Sequence, residues 1–350
     1  MKPLIPAIAL VLFTGVTHAQ TGVIAVEHPN GTSSFYYMPT TTLNEVLTTY
    51  VGTNDTVILP GGIIPFTYTF LDTKVTIVGA GFHQNGVPVT GKTVIPSVNF
   101  GLEIGTGANG SSFHGIDFES TVHVDSDVHD VSFTRCEFAG MELDQNFSND
   151  AYNITFKHCL FRSYVQGGQT TSLNIDNCVF QSFISFSTTA SGNSIRHCLF
   201  LNADLSATQV TQVTFTDNIF VFNTSGPAIN NTGQFFNNVF ALPTSSLPTY
   251  GTGTFSGNQT TFPASALFAA GTLLTAFDYS DDFTPLPASI AVTMASYDGT
   301  DAGIYGGLSG SPWKPLALPF NPHWEVLVTP PGTTGGLLQG VQVQGSAQSN

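Results

Sequence analysis

One short phrase recurs along this chain at intervals of about twenty residues: "RCEF", "KHCLF", "DNCVF", "RHCLF", "DNIF", "NNVF". Aligned on its last aromatic, the phrase places Phe118, Phe138, Phe161, Phe180, Phe200, Phe220 and Phe240 in one slot, at intervals of 20, 23, 19, 20, 20 and 20. An earlier slot holds Phe113, Phe133, Phe156, Ile175, Ile195, Phe215, Phe235 and Phe255, and the slot between them holds Ile116, Cys136, Cys159, Cys178, Cys198, Asn218 and Asn238. A period near twenty is too short for helix-pair repeats. It suits one coil of a parallel β-solenoid, each coil stacked on the last at strand spacing, roughly 4.8 Å. Equivalent slots then lie over one another, and every coil must present the same shape to the next.

This stacking predicts interior ladders: two aromatic columns and a column of thiols, Cys136, Cys159, Cys178 and Cys198, that changes to amides at Asn218 and Asn238. The amides are expected to hydrogen-bond from coil to coil. Ladder neighbours point the same way, so the thiols should sit about 4.8 Å apart at Cβ, beyond the usual disulfide range of about 3.5–4.5 Å. The expectation is four unbridged cysteines acting as small hydrophobes. A straight column does not converge on one metal ion.

Composition agrees with an all-β chain. Only 9% of the 350 residues are charged, 41% are apolar, and there are 29 Phe. The organisation expected is a leader over 1–19, one solenoid domain with caps over 20–329, and a tail over 330–350. Within the domain, "LNEVL" gives helical apolar spacing and marks a short capping helix over 41–52. Coils run from about 56 to 260. "SALFAAGTLLTAF" (265–277) and the Pro-rich stretch after it form a C-terminal cap, which a solenoid needs to cover its open end. The tail, with alternating Val and Gln, reads as a docked edge strand and a loose end.

Lys2, the apolar "LIPAIALVLF" and the small-residue "THA" before Gln20 form a secretory signal. That apolar stretch is too short to span a bilayer, and no later run is long and apolar enough for a membrane helix, so a secreted or cell-surface location is expected. The net charge of −15, with eight Lys and Arg in all, excludes the clustered positive surface that nucleic acid requires.

"VTFTDNIF" and "LNIDNCVF" resemble right-handed parallel β-helix proteins of the pectin-lyase-like fold. "TTLNEVLTTYVGTNDTVILPGGIIP" followed by "KVTIVGAGF" is similar to that family's entry, a short helix and then a strand ending in a Gly turn. "YDGTDAGIYGG" and "PWKPLALPFNPHW" resemble segments of exported β-helix proteins of Bacteroidota. The resemblance covers about residues 40–325. It implies a right-handed parallel β-helix, and polysaccharide lyase or glycoside hydrolase activity in the members that are enzymes. The paired Asp-Asp with Gly-His-Gly of polygalacturonase-like hydrolases is absent, as are Arg-x-Pro-x-x-Arg and a pectinesterase-type signature.

Strand alternation directs Asp117, Glu137, Leu160, Val179, Leu199, Ile219 and Val239 outward. An apolar run facing water is a covered or binding surface. Either a later segment of the chain lies over it, or Leu160, Val179, Leu199, Ile219 and Val239 meet a second copy in a homo-oligomer. "VHVDSD" aligns with "MELDQN" one coil on, stacking His123, Asp125 and Asp127 against Glu142, Asp144 and Asn146. Stacked carboxylates repel, so they split roles, bind a cation or remain a solvated face. Asp125, Asp127, Glu142 and Asp144 are the candidate ligands for calcium. Asp125, Glu142 and Asp144 are candidate catalytic carboxylates, and the resemblance to lyases of this fold, which use a basic proton acceptor, makes Lys157, Arg162 and Arg196 candidate bases. Lys157, Asp176 and Arg196 also read as ordinary cross-strand pairing. His158 and His197, two coils apart, read as turn residues, and "DGTDAG" (298–303) as a tight closing turn. Three functions remain open: a scaffold binding glycan or another surface polymer along a flat polar face, a polysaccharide lyase or glycoside hydrolase, and a self-associating structural protein.

Overall fold

The computed structural model describes residues 22–313, with breaks at 39, 84–90, 97–100, 144–150, 183, 187–191, 202–212, 222–227, 230–232, 242–248, 251–253, 269–275, 280, 295 and 308–312, together with the strands His323–Val328 and Gln342–Ser346. The leader, Asp144, Asn146 and most of the tail lie outside the described residues.

The chain is a parallel β-solenoid of about seven turns, about twenty residues per turn, with very little helix. Each regular coil contributes three short strands, and like strands stack into three faces. Face one carries Ser112–His114, Ser132–Thr134, Thr155–Lys157, Asn174–Asp176, Asn193–Arg196, Val213–Thr216, Gln234–Phe236 and Thr254–Ser256, all parallel and in register. Face two carries the phrase aromatics, and face three runs from Thr69–Leu71 through Leu102–Ile104 to Ile184–Phe186. In the coil Ile116–Val124 a register shift between Phe118 and Thr121 marks the corner from face two to face three.

The corner from face one to face two explains the repeated phrase. Gly115, Arg135, His158, Asn177, His197, Asp217, Asn237 and Gly257 occupy it, all at positive φ between 48° and 70°. Glycine adopts this left-handed conformation freely, and among other residues Asn, Asp and His are enriched there. The next residue turns inward as the ladder residue. Cys136, Cys159, Cys178, Cys198, Asn218 and Asn238 are all fully buried, and the four thiols are unbridged. The column continues to Asn258, which sequence alignment on the aromatics missed because Thr260 stands where the last Phe would be.

Inside, Phe118, Phe138, Phe161, Phe180, Phe200, Phe220 and Phe240 stack at centroid distances of 4.4–5.4 Å with rings within 15° of parallel. The earlier slot crosses them edge-on, as at Phe133 and Phe138. Offset and edge-to-face pairs each add about 0.5–1.5 kcal/mol beyond burial, so the two columns hold both coil spacing and cross-section.

At the entry, Leu43–Glu45 forms one helical turn, capped where Thr42 accepts from the Glu45 N–H at 3.2 Å, and it widens into a π-turn over Val46–Tyr50. Leu43, Val46 and Leu47 are buried, so the helix packs into the core as expected, in a shorter form. The antiparallel hairpin Val23–Glu27 with Ser33–Tyr37 pairs with Asp55–Ile58 and closes the first edge of face one.

The outward stripe is not a surface. Leu160, Val179, Leu199, Ile219 and Val239 are 0–2% exposed and pack with Leu267, Phe268, Phe277, Phe283, Ala291, Met294, Ala302, Ile304 and Trp313 in a second apolar cluster. These later residues, from Leu267 to Trp313, thus lie along face two, and the described part of the expected end cap contributes to a side cover. The reading that a later segment covers the stripe holds. Homo-oligomerisation through these five residues has no support, since their side chains are already buried within the chain. Burial stabilises each by about 1.5–3 kcal/mol. Further along the stripe, Asp117 pairs with Lys92. The fully buried Glu137 pairs with Arg162 and accepts from Tyr279 Oη–H at 2.9 Å, so its charge is met from both sides. The strands His323–Val328 and Gln342–Ser346 pair with each other, antiparallel.

Candidate functional site

Face three bears one outward file whose register is continuous: Phe70, Glu103, His123, Glu142, Gln166 and Ser185. Five strand spacings make it roughly 24 Å long. Alternation sets the file, since the flanking Ile104, Val122, Val124, Met141, Leu143 and Val165 all point into the core.

Aromatic hydroxyls hold its carboxylates in place. Tyr68 Oη–H donates to Glu103 Oε2. Tyr164 Oη–H and Gln166 Nε2–H both donate to Glu142 Oε1, each at 2.9 Å. Tyr164 Oη also lies 3.2 Å from Thr121 Oγ1. His123 Nδ1 stands 2.8 Å from Glu142 Oε2, in contact but off the line of a hydrogen bond. Tyr68 is 47% and Phe70 43% exposed, so two aromatic side chains flank the start of the file in solvent.

The hydrogen bond to Glu103 pushes the Tyr68 hydroxyl up to about 12, with burial and the charges of Glu103 and Asp125 adding to it. Burial raises the Tyr164 hydroxyl, as does the bond to Glu142, against the opposing bond to Thr121. Both phenols remain protonated donors at neutral pH.

The acidic patch expected from the sequence is therefore partly assembled. His123 and Glu142 meet as the alignment required, and Asp125 lies near Tyr68 just past the strand end. Asp127 sits at the following turn, at φ 63°. Glu103, Tyr68 and Tyr164 were missed. Glu103 belongs to a coil outside the aligned phrases, and the tyrosines lie in turns where periodicity says nothing. Lys157 and Arg196 stand on face one, in the expected column with Asp176, where Arg196 Nη2 lies 3.7 Å from Asp176 Oδ2. Lys157 and Arg196 thus stand on a different face from the acidic candidates, with the core between them.

The cover brings together a different group. Asp298 Oδ2 reaches His197 Nε2 at 2.9 Å, with Asp217 Oδ2 at 3.8 Å from the same nitrogen. Residues 298–303 do turn tightly, but they do so against the solenoid corner and place Asp298 on His197. Reading His197 as a turn residue was correct for its backbone and incomplete for its side chain. Among the described residues, His197, Asp217 and Asp298 are the group of three whose ligand atoms lie within 4.8 Å of one another. No described helix is long and apolar enough to cross a membrane.

Comparison with known proteins returned no match to a family model, a curated protein or a solved structure.

Proposed function

We propose that this chain is an exported surface scaffold, a right-handed β-helix of the pectin-lyase-like kind, that holds a glycan or related hydroxylated polymer along face three. The observation that carries the reading is the file from Phe70 to Ser185, with Tyr68 and Phe70 exposed at its head. Carboxylates already oriented by phenol and amide donors keep further lone pairs for hydroxyl donors, and hydrogen bonds to ionised acceptors are the stronger kind. Exposed aromatic rings add apolar contact area at low entropic cost. A straight file with a repeat near 4.8 Å suits an extended chain better than a compact ligand. The leader-like N-terminal sequence supports export.

The test is retention of purified protein on a polysaccharide array, with the affinity of any hit measured by titration. Binding by the native chain, weakened at least tenfold by Tyr68→Ala/Phe70→Ala and by Glu142→Gln, is the expected outcome. No retained polymer, or retention indifferent to these changes, would remove the proposal.

One observation favours glycoside hydrolysis as a second reading. Glu103 and Glu142 flank His123 at two strand spacings, roughly 9.6 Å, near the upper limit of about 9.5 Å for inverting hydrolases. Release of reducing sugars that is lost in Glu103→Gln would select it over binding alone.

A further inference from the structure

Three successive coils place Asn177, His197 and Asp217 at the same left-handed corner position, with φ of 49°, 48° and 55°. Their side chains therefore leave the solenoid in a file along one edge. The segment 297–307 lies on that edge and is bonded to it closely. Asn177 Nδ2–H donates to the carbonyls of Ile304 and Gly306 at 3.0 and 2.8 Å. The Gly303 N–H donates to the Asp217 carbonyl at 2.7 Å, and the Tyr297 N–H donates to Asp217 Oδ1 at 3.0 Å. A Cβ on Gly306 would fall 1.6 Å from the Asp301 carbonyl oxygen and 2.7 Å from His197 Nδ1. Only glycine permits that approach.

The imidazole is set up as a ligand. His197 Nδ1 lies 3.1 Å from the Asp301 carbonyl oxygen, which can only accept, so Nδ1 carries a proton. A backbone carbonyl on one ring nitrogen is the usual means of orienting a histidine whose other nitrogen binds metal. That other nitrogen, Nε2, faces Asp298 Oδ2 at 2.9 Å and Asp217 Oδ2 at 3.8 Å. Each carboxylate is anchored through its other oxygen: Asp217 Oδ1 by Tyr297, and Asp298 Oδ1 by the Thr300 N–H and Oγ1–H at 3.0 and 2.7 Å.

A tetrahedral cation with ligands at about 2.0–2.1 Å needs its ligand atoms about 3.3 Å apart. The observed 2.9 and 3.8 Å bracket that value. A second observation points the same way. Asn177 Oδ1 is buried with no hydrogen-bond partner among the described residues. Its identity as oxygen is fixed by the two bonds its Nδ2 donates. It borders Gly307, as does His197 Cδ2, the carbon next to Nε2. An orphaned acceptor at this place suits the water that completes a three-ligand site.

We propose that His197 Nε2, Asp217 Oδ2 and Asp298 Oδ2 bind one divalent cation of the zinc class, which pins residues 297–307 to the solenoid corner. One imidazole and two carboxylates favour zinc over calcium, which takes six to eight oxygens. The competing arrangement is metal-free, an imidazolium held between two carboxylates.

Zinc chloride added to the tag-free, chelator-stripped full chain separates the two. One equivalent should bind, and melting temperature should rise with zinc, fall back with chelator and ignore calcium. Asp298→Asn should weaken zinc at least tenfold and abolish the zinc-dependent rise. X-ray absorption at the zinc edge of the native chain, which needs no variant, should show nitrogen and oxygen near 2.0–2.1 Å and no sulfur near about 2.3 Å. The proposal is overturned by failure to bind an equivalent, by undiminished binding in Asp298→Asn, or by a sulfur shell that places zinc on the cysteine column.

Discussion

The interior corner ladder has two halves built from different chemistry on one backbone. Cys136 to Cys198 fill the slot with thiols, and Asn218 to Asn258 fill it with amides. In the amide half each side chain both accepts and donates. Asn218 Oδ1 accepts from the Cys198 N–H at 2.8 Å, Asn238 Oδ1 from the Asn218 N–H at 2.9 Å, and Asn258 Oδ1 from the Asn238 N–H at 2.9 Å. Each Nδ2 also donates to a carbonyl one coil back: Ile195, Phe215 and Phe235 in turn, at 2.8–2.9 Å. In the thiol half the same roles are played more weakly. Cys178 Sγ stands 3.3 Å from the Cys159 N–H nitrogen, and Cys198 Sγ 3.4 Å from that of Cys178. From Cys178 to Asn258 the slot thus holds a small side chain that accepts from the coil before it, whereas Ile116 fills the same slot at the start of the column without accepting. Cys178 and Cys198 meet this as acceptors as well as by filling space, which adds a second role to the expected one of small buried hydrophobes.

The comparison can be broken most severely in the amide half. Asn238→Leu would strip partners from the Asn218 N–H, the Asn218 Nδ2 and the Phe215 carbonyl, all buried. At about 1–3 kcal/mol per unsatisfied group, chemical denaturation should register a loss of about 4 kcal/mol. Cys178→Ala removes a weaker acceptor and a smaller volume, and the same measurement should give about 2 kcal/mol.

Alkali should distinguish the halves without mutation. Burial pushes the thiols of Cys136, Cys159 and Cys178 well above their ordinary value. The unfolded chain therefore releases these protons first, and stability must fall as pH rises past the ordinary thiol value of about 8.5. The limiting slope is about 1.4 kcal/mol per pH unit for each thiol. Denaturation midpoints measured from pH 8 to 10 should fall, and replacing Cys178 by Ala should make the decline shallower. No slope would mean that the thiols are not held protonated by the fold. The smallest effect is expected at the junction. Cys198→Asn would extend the amide run by one rung, accepting from the Cys178 N–H and donating to the Ile175 carbonyl, and should change stability by less than about 1 kcal/mol.

Much of this architecture was legible because a solenoid writes its cross-section into the sequence once per coil. The aromatic slots, the unbridged cysteines, the Lys157–Asp176–Arg196 column and the contact of His123 with Glu142 all follow from equating positions twenty residues apart. What that rule cannot reach is any contact made outside the period. Asp298 is 101 residues from His197, and nothing in the spacing of "DGTDAG" announces a histidine opposite it. Tyr279 on Glu137, across 142 residues, was equally silent. The outward apolar stripe did signal that something must cover it, but an apolar face does not name its partner. Glu103 and Tyr68 escaped for a related reason: the early coils keep the stacking and lose the phrase.

The side cover also bears on the order in which the molecule can be finished. Coils can add one upon another as the chain lengthens, yet a greasy flank five rungs long stays bare until residues 267–313 have been made. A fragment interrupted before Leu267 would own a nearly whole spine and no jacket. Such a piece should clump through Leu160, Val179, Leu199, Ile219 and Val239, whereas the full chain stays dispersed.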